Sequence, residues 1–338
     1  MFIMQKISFL GKLAFILILV FIINFFACSN TNLVKLDSSD RKFCYLEKTK
    51  IYDRLAQIPK ITEIRPAETD SGFKEVWELH FKQPIDHENP NKGYFTQQVF
   101  LGHKDYNKPV VFVTAGYSVS GFGSGELSDI LDANQIVVEH RYFEDSQPDS
   151  MNWKYMNTVQ AAADHHAIYQ ALKNIYADKW VNTGISKGGT TTLLYKSHYP
   201  EDMDATVAYV APLNHSSEDP RITEFFSKVG TKEERQKLKD YQRLALQNKD
   251  ELLPRFKWFC KGKEYEFSYC DYEKAFEYAI LEFPFIYWQW DKEELDSLDF
   301  YSENPDSILK PLTKSNSVKW YTDNNLKDEP SMYQFATQ

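Results

Sequence analysis

From Lys74 onward the chain is punctuated by short apolar runs. In KEVWELHF (74–81) apolar positions recur around Val76, and GYFTQQVFLG (93–102) repeats the texture, with Pro84 to Pro90 supplying the connection. Both segments read as strands. The next apolar runs, PVVFVTAG (109–116) and QIVVEHR (135–141), are continuous rather than alternating. NTVQAAADHHAIYQALKNIY (157–176) follows, in which Val159, Ala162, His166, Tyr169, Leu172 and Tyr176 recur at spacings of three and four. That period predicts a helix, and assigns those positions to its apolar face. KWVNTG (179–184) predicts a short strand, TTTLLYKSHY (190–199) a helix and ATVAYVAP (205–212) another strand. Strands without alternation, interleaved with helices, indicate a parallel sheet covered on both faces.

The texture changes after Pro212. Residues 218–338 contain no convincing apolar strand. TKEERQKLKDYQRLALQNKDELLPRF and DYEKAFEYAILEF read instead as amphipathic helices. At the other end, Lys6 and Lys12 precede an apolar run from Leu13 to Ala27, interrupted by Asn24. Such a run suits an export signal better than a spanning helix. Ala27 directly before Cys28 resembles the processing site of bacterial lipoproteins, although Phe25 stands where Leu is usual. Lipidation of Cys28 is expected; soluble secretion and an uncleaved anchor are the alternatives. The expected organisation is therefore a signal over 1–28, a tether and extension over 29–73, a core over 74–217 and a helical lid over 218–338.

Composition adds little beyond this. The chain has 338 residues, enough for a core plus a lid, and a net charge of −9 without a basic cluster, which argues against a nucleic-acid partner. Aromatic residues reach 15%, and a bulky core accounts for them more simply than an aromatic pocket. No Cys/His spacing suggests a metal, and no cofactor is implied. Export permits disulfides, and the short polar segment between Cys260 and Cys270 suggests a bridge between them, leaving Cys44 unmatched.

The chemistry is concentrated at Gly184-Ile185-Ser186-Lys187-Gly188, which reads G-x-S-x-G. The pattern alone is weak. Between a strand and a helix it becomes a nucleophile elbow, with Ser186 lifted above the sheet, and it points to an α/β-hydrolase fold. The Lys187 N–H at the helix start is one candidate oxyanion donor, and the Tyr117 N–H, after PVVFVTAG, is the second. His140, beside Glu139 and Arg141 in VEHRY, forms a charged cluster that reads first as a brace for the site and second as a substrate-orienting group, with Glu139 the candidate for binding a substrate amine. His166 reads as a satisfied core histidine, His165 as a surface or packing residue, and His80, His87 and His103 as peripheral. Two histidines follow Ser186. His198 lies on the helix after the nucleophile, and His215 comes earlier than a triad histidine belongs. A nucleophile is thus present without a recognisable base. The triad acid and base are expected to be absent from residues 187–338, as though the chain ended before the final core strands.

The segments VEHRYF (138–143), QAAADHHAIYQAL (160–172), KWVNTGISKGGTT (179–191), HYPEDMDATVAYVAPLN (198–214) and EDPR (218–221) occur in one order. Together they resemble the secreted tripeptidyl aminopeptidase family of serine peptidases (PS-10 type), relatives of the prolyl carboxypeptidases. The resemblance runs from about residue 74 to the end. It implies an α/β-hydrolase core, a helical lid, Ser186 as nucleophile, and a peptide or protein substrate that loses short peptides from its N-terminus. A non-catalytic surface lipoprotein and an esterase or lipase remain open on the same fold.

Overall fold

The computed structural model describes Leu33–Val34, Leu46–Glu47 and residues 50–337 apart from 69–71, 177, 217, 293–295, 297–298, 316, 324 and 326–328. The expected export signal, Cys28 and Cys44 lie outside these residues. Among the described residues no helix is long and apolar enough to cross a membrane.

Seven strands form the main sheet: β1 (Ile61–Pro66), β2 (Glu75–Pro84), β3 (Tyr94–His103), β4 (Val110–Thr114), β5 (Asn134–Val138), β6 (Trp180–Ile185) and β7 (Ala205–Tyr209). Their spatial order is β1-β2-β3-β5-β4-β6-β7. The first four in that order pair antiparallel, and β5, β4, β6 and β7 pair parallel. The central strands are buried on both faces, with Val110, Phe112, Ile136 and Val138 fully enclosed. That explains their continuous apolar runs. Helices α1 (Lys50–Leu55), α2 (Glu126–Ile130), α3 (Thr158–Leu172) and α4 (Lys187–His198) accompany the sheet. The sheet begins earlier than the pattern suggested. β1 pairs along β2, and Ile51 and Leu55 of α1 are in the main core, so the described part of the expected N-terminal extension packs with the core.

The buried face of α3 also differs from the expected one. Val159 is half exposed, whereas Asp164 and His165 are enclosed. The cause is electrostatic. Arg141, itself fully buried, sends Nε and Nη2 to the Asp164 carboxylate at 2.6 and 2.8 Å and Nη1 to the carbonyls of Ile85 and Tyr155. His87 Nε2 meets the same carboxylate at 2.7 Å. Two charges that are each costly alone neutralise one another here and tie α3 to the end of β2. His166 sits at the half-exposed edge, with Nδ1 2.6 Å from Asp202 Oδ2 and its ring stacked on Tyr199.

Residues beyond β7 form helices α5 (Pro220–Lys228), α6 (Lys232–Gln247), α7 (Lys249–Gly262), α8 (Tyr272–Ile286), α9 (Pro305–Lys314) and α10 (Glu329–Thr337). Helices α6 to α9 enclose a second apolar core built on Tyr241, Phe256, Phe276, Phe283 and Phe300. The expected Cys260–Cys270 bridge is not formed, and both are free thiols. Cys260 points into this second core, while the Cys270 thiol lies 3.7 Å from the Tyr321 carbonyl. A third, small aromatic cluster of Tyr142, Phe143 and Met156 brings Tyr117, Trp153 and the α10 residue Tyr333 together.

Candidate active site

Ser186 stands between β6 and α4 with φ 55° and ψ −124°. A serine held at positive φ is costly, roughly 1–3 kcal/mol, and persists only where its surroundings dictate it. Here they do. The Ser186 N–H donates to the Tyr209 carbonyl of β7 at 2.9 Å, and its own carbonyl accepts the Thr190 N–H at 3.1 Å. The glycines of the motif allow this close approach. A Cβ on Gly188 would lie 2.7 Å from the Thr114 carbonyl of β4, and one on Gly189 would lie 2.9 Å from the Tyr209 carbonyl. A Cβ on Gly184 would enter the backbone of Gly188. Thr114 Oγ1 donates to the Gly188 carbonyl at 3.1 Å and meets Thr192 Oγ1 at 2.5 Å, fastening α4 down on the sheet. The expected sharp turn is therefore present. The expected cover is not: Ser186 is exposed, and its neighbours Ile185 and Val210 are 69% and 81% exposed. Helices α6 to α9 gather on their own core, and among the described residues the elbow is open to solvent.

Both expected oxyanion segments meet at this point. Lys187 opens α4, so its N–H belongs to the unsatisfied first turn of a helix. Gly116 abuts it closely enough that a Cβ on Gly116 would lie 2.6 Å from Gly188 N. The loop that begins at Gly116–Tyr117 is pinned from three sides. The Lys187 ammonium donates to the Gly116 carbonyl, the His140 N–H donates to the Tyr117 carbonyl at 3.2 Å, and the Val119 N–H donates to Glu139 Oε1 at 2.8 Å. The Ser146 hydroxyl donates to Glu139 Oε2 at 2.6 Å. With both oxygens engaged and the residue only 1% exposed, Glu139 is a brace for this loop. The expected contact with a substrate amine is not available to it in this arrangement.

Burial dominates the electrostatics. It pushes the Glu139 carboxyl up to about 7, the Ser146 and Val119 hydrogen bonds opposing it only in part. It pushes the Lys187 ammonium down to about 7, and holds His140 well below the ordinary histidine value with the nearby Lys187 adding to the effect. The side chain of Lys187 is the functional feature the sequence did not flag. Its only signal there is a lysine inside a motif otherwise made of small residues.

Among the described residues the Ser186 hydroxyl makes no hydrogen bond to any histidine. His87 and His166 are engaged with Asp164 and Asp202, and His103 Nδ1 lies 3.0 Å from the Tyr176 hydroxyl. His165 is enclosed with both ring nitrogens unpartnered. His198 ends α4, about 18 Å along the axis from its start. His215 is exposed on the segment after β7, its N–H held by Asp219 Oδ2 at 3.2 Å.

The model of the PS-10 peptidase S37 family matches residues 46–338. The chain belongs to that family. A prolyl tri/tetrapeptidyl aminopeptidase of Streptomyces mobaraensis is 37% identical over 295 residues, which is 85% of this chain and 61% of the relative. The chain thus spans less than two thirds of that relative's length. The family, the sheet order and the elbow at the end of β6 together make this an α/β-hydrolase fold. Solved structures similar to parts of the chain include acetyl xylan esterase 1 of a Thermoanaerobacterium species, with a TM-score of 0.35, 14% identity and coverage of 54% of this chain and 67% of that one. A carboxylesterase from a metagenomic library has a TM-score of 0.32 and 18% identity over 48% of this chain and 56% of that one.

Proposed function

We propose that this chain is the core of an exported serine aminopeptidase that releases tri- or tetrapeptides from peptide N-termini. The strained elbow carries the reading, because it holds Ser186 at the start of α4, next to the open first turn at Lys187 and the packed Gly116. In the reaction, Ser186 Oγ attacks the scissile carbonyl and its proton passes to a base. The carbonyl oxygen, now negative, takes hydrogen bonds from the Lys187 and Tyr117 N–H groups. The protonated base gives its proton to the leaving amine as the C–N bond breaks. Water then hydrolyses the acyl-enzyme by the same route, returning Ser186 and releasing the short peptide as its carboxylate.

The base is assigned to polypeptide outside the described residues. Two observations support that assignment. Among the described residues β7 pairs with β6 alone, which leaves its outer edge open to further strands, and the apolar side chains of Val210 and Leu213 beside it face solvent. The relative named above is also longer than the matched region. The test is hydrolysis of tripeptide-linked chromogenic substrates. The chain as given is expected to be nearly inactive, roughly 10⁴- to 10⁶-fold below a complete triad. The chain lengthened by what its gene encodes after Gln338 is expected to release intact tri- or tetrapeptides in a Ser186-dependent way. Turnover of simple esters alone would favour an esterase, and no turnover by either form would favour a binding protein. Export is part of the same reading: Lys6, Lys12, the apolar run and Ala27-Cys28 support a lipid-anchored mature protein beginning at Cys28. A diacylglyceryl mass on that cysteine is expected; a mature start elsewhere would overturn the anchor.

A further inference from the structure

We propose that the Lys187 side chain is a positioning residue for the oxyanion hole, clamping the Gly116 carbonyl and so fixing the direction of the Tyr117 N–H. The proposal rests on the reading of Tyr117 as an oxyanion donor.

The argument begins with the peptide unit. The Gly116 carbonyl and the Tyr117 N–H belong to one planar group, and no cis bond occurs among the described residues. In a trans peptide these two dipoles point in opposite directions. Holding the carbonyl therefore aims the N–H. The Lys187 ammonium donates to that carbonyl. Its Nζ also lies 4.9 Å from the centre of the Tyr117 ring and 5.2 Å from that of Phe143, so the cation is seated over two aromatic faces. Among the described residues Lys187 forms no ion pair.

An ammonium enclosed without a carboxylate is expensive, and the depressed pKa of Lys187 reflects that cost. A Met of similar length would fill the space without it. What Met cannot do is donate to the Gly116 carbonyl. The backbone around that carbonyl is crowded by Lys187 and Gly188 on one side, while the His140 and Glu139 contacts secure the loop further along. The Gly116–Tyr117 peptide is the joint between these fixed parts. One residue thus sets both donors, giving its own N–H and aiming the second through its side chain.

The sequence offers a specific probe. Gly-Tyr occurs twice, at Gly93–Tyr94 and Gly116–Tyr117, so labelling glycine carbonyls with ¹³C and tyrosine amides with ¹⁵N yields two resolvable peptide signals. Beside Lys187, the buried His140 is held well below the ordinary histidine value, and Glu139, which titrates in the same range and braces the same loop, is removed by working in Glu139→Gln. As the Lys187 ammonium loses its proton, the Gly116–Tyr117 signal is expected to move with a midpoint near 7, and the Gly93–Tyr94 signal to stay still. A Gly116–Tyr117 signal that does not move across that range overturns the proposal, and this measurement needs neither activity nor a Lys187 variant. In the lengthened, active protein, Lys187→Met is expected to lower kcat roughly tenfold or more with little change in KM, because the lost donor alignment matters only for the developing oxyanion. Lys187→Arg, which keeps a cationic donor, should recover part of the loss. An unchanged kcat in a folded Lys187→Met protein overturns the clamp while leaving the peptidase reading intact. Full activity in Ser186→Ala would instead defeat the peptidase reading.

Discussion

Replacing Glu139 by Gln should make the protein more stable in neutral solution and change how its stability depends on pH. The carboxyl is enclosed, accepts the Val119 N–H and the Ser146 hydroxyl, and has its pKa pushed from 4.5 up to about 7, chiefly by burial. The sign follows from which state holds the proton. Between those two values the unfolded chain has released it and the folded chain still keeps it, so stability is full below pH 4.5 and is lost as pH rises through 7. A shift of this size corresponds to roughly 3 kcal/mol. Gln preserves the shape of the protonated acid. Its carbonyl accepts from Val119, and its amide donates to the Ser146 oxygen, at a pH-independent cost of about 1 kcal/mol if one hydroxyl bond is lost. Urea unfolding of both proteins at about pH 5 and about pH 8 measures the effect, since stability falls linearly with denaturant. The stability of Glu139→Gln relative to the unmodified chain should rise by about 2–3 kcal/mol from the lower pH to the higher. Parallel pH profiles for the two proteins would refute the reasoning, because they would mean that Glu139 is ionised in the folded loop at no cost.

Removing one partner of the buried pair in Asp164→Ala strands the Arg141 guanidinium and should cost about 3–5 kcal/mol in urea unfolding; Arg141→Met combined with Asp164→Leu should recover much of it. Gly188→Ala places a methyl 2.7 Å from the Thr114 carbonyl, where neither β4 nor the elbow can yield cheaply, and should lower the unfolding midpoint by about 1–3 kcal/mol equivalent. Both Cys260 and Cys270 should be recovered unlinked in a peptide map made without reductant, with Cys260 unreactive to thiol reagents until the second core unfolds, since burial raises its pKa to about 12.

The elements that carry the chemistry were legible because each leaves a strong local mark. The apolar runs of β4 and β5 have no polar face to confuse their reading, and G-x-S-x-G between β6 and α4 has a steric reason for every glycine. Other features depend on partners distant in the chain. The Ala-rich α3 carries small side chains on several faces, so its inward face is decided by Arg141 meeting Asp164 rather than by hydrophobic period, and His166 lies at the half-exposed edge rather than in the core while His165 is the packed one. β1, with Ile61 and Ile64 as its main apolar positions and a terminal proline, is weak by itself and is secured by the length of its pairing with β2. The cysteines were close in sequence but differ in surroundings, one inside a core and the other beside the Tyr321 carbonyl. Glu139 shows the same limit. Its place at a strand end was visible, but the two donors that occupy it come from residues 119 and 146.

The central claim is that Ser186 is a nucleophile that gains its power from a base beyond the described residues. Covalent labelling by a fluorophosphonate, read by mass spectrometry of the intact protein and its peptides, tests this most directly. The chain as given should stay almost unlabelled, whereas the chain lengthened past Gln338 should take one adduct, on the peptide containing Ser186, and lose it in Ser186→Ala. Rapid labelling of Ser186 in the chain as given would place a base among the residues described above, with His215 the first to replace. A folded, lengthened protein that takes no adduct would contradict the assignment of Ser186 as the nucleophile.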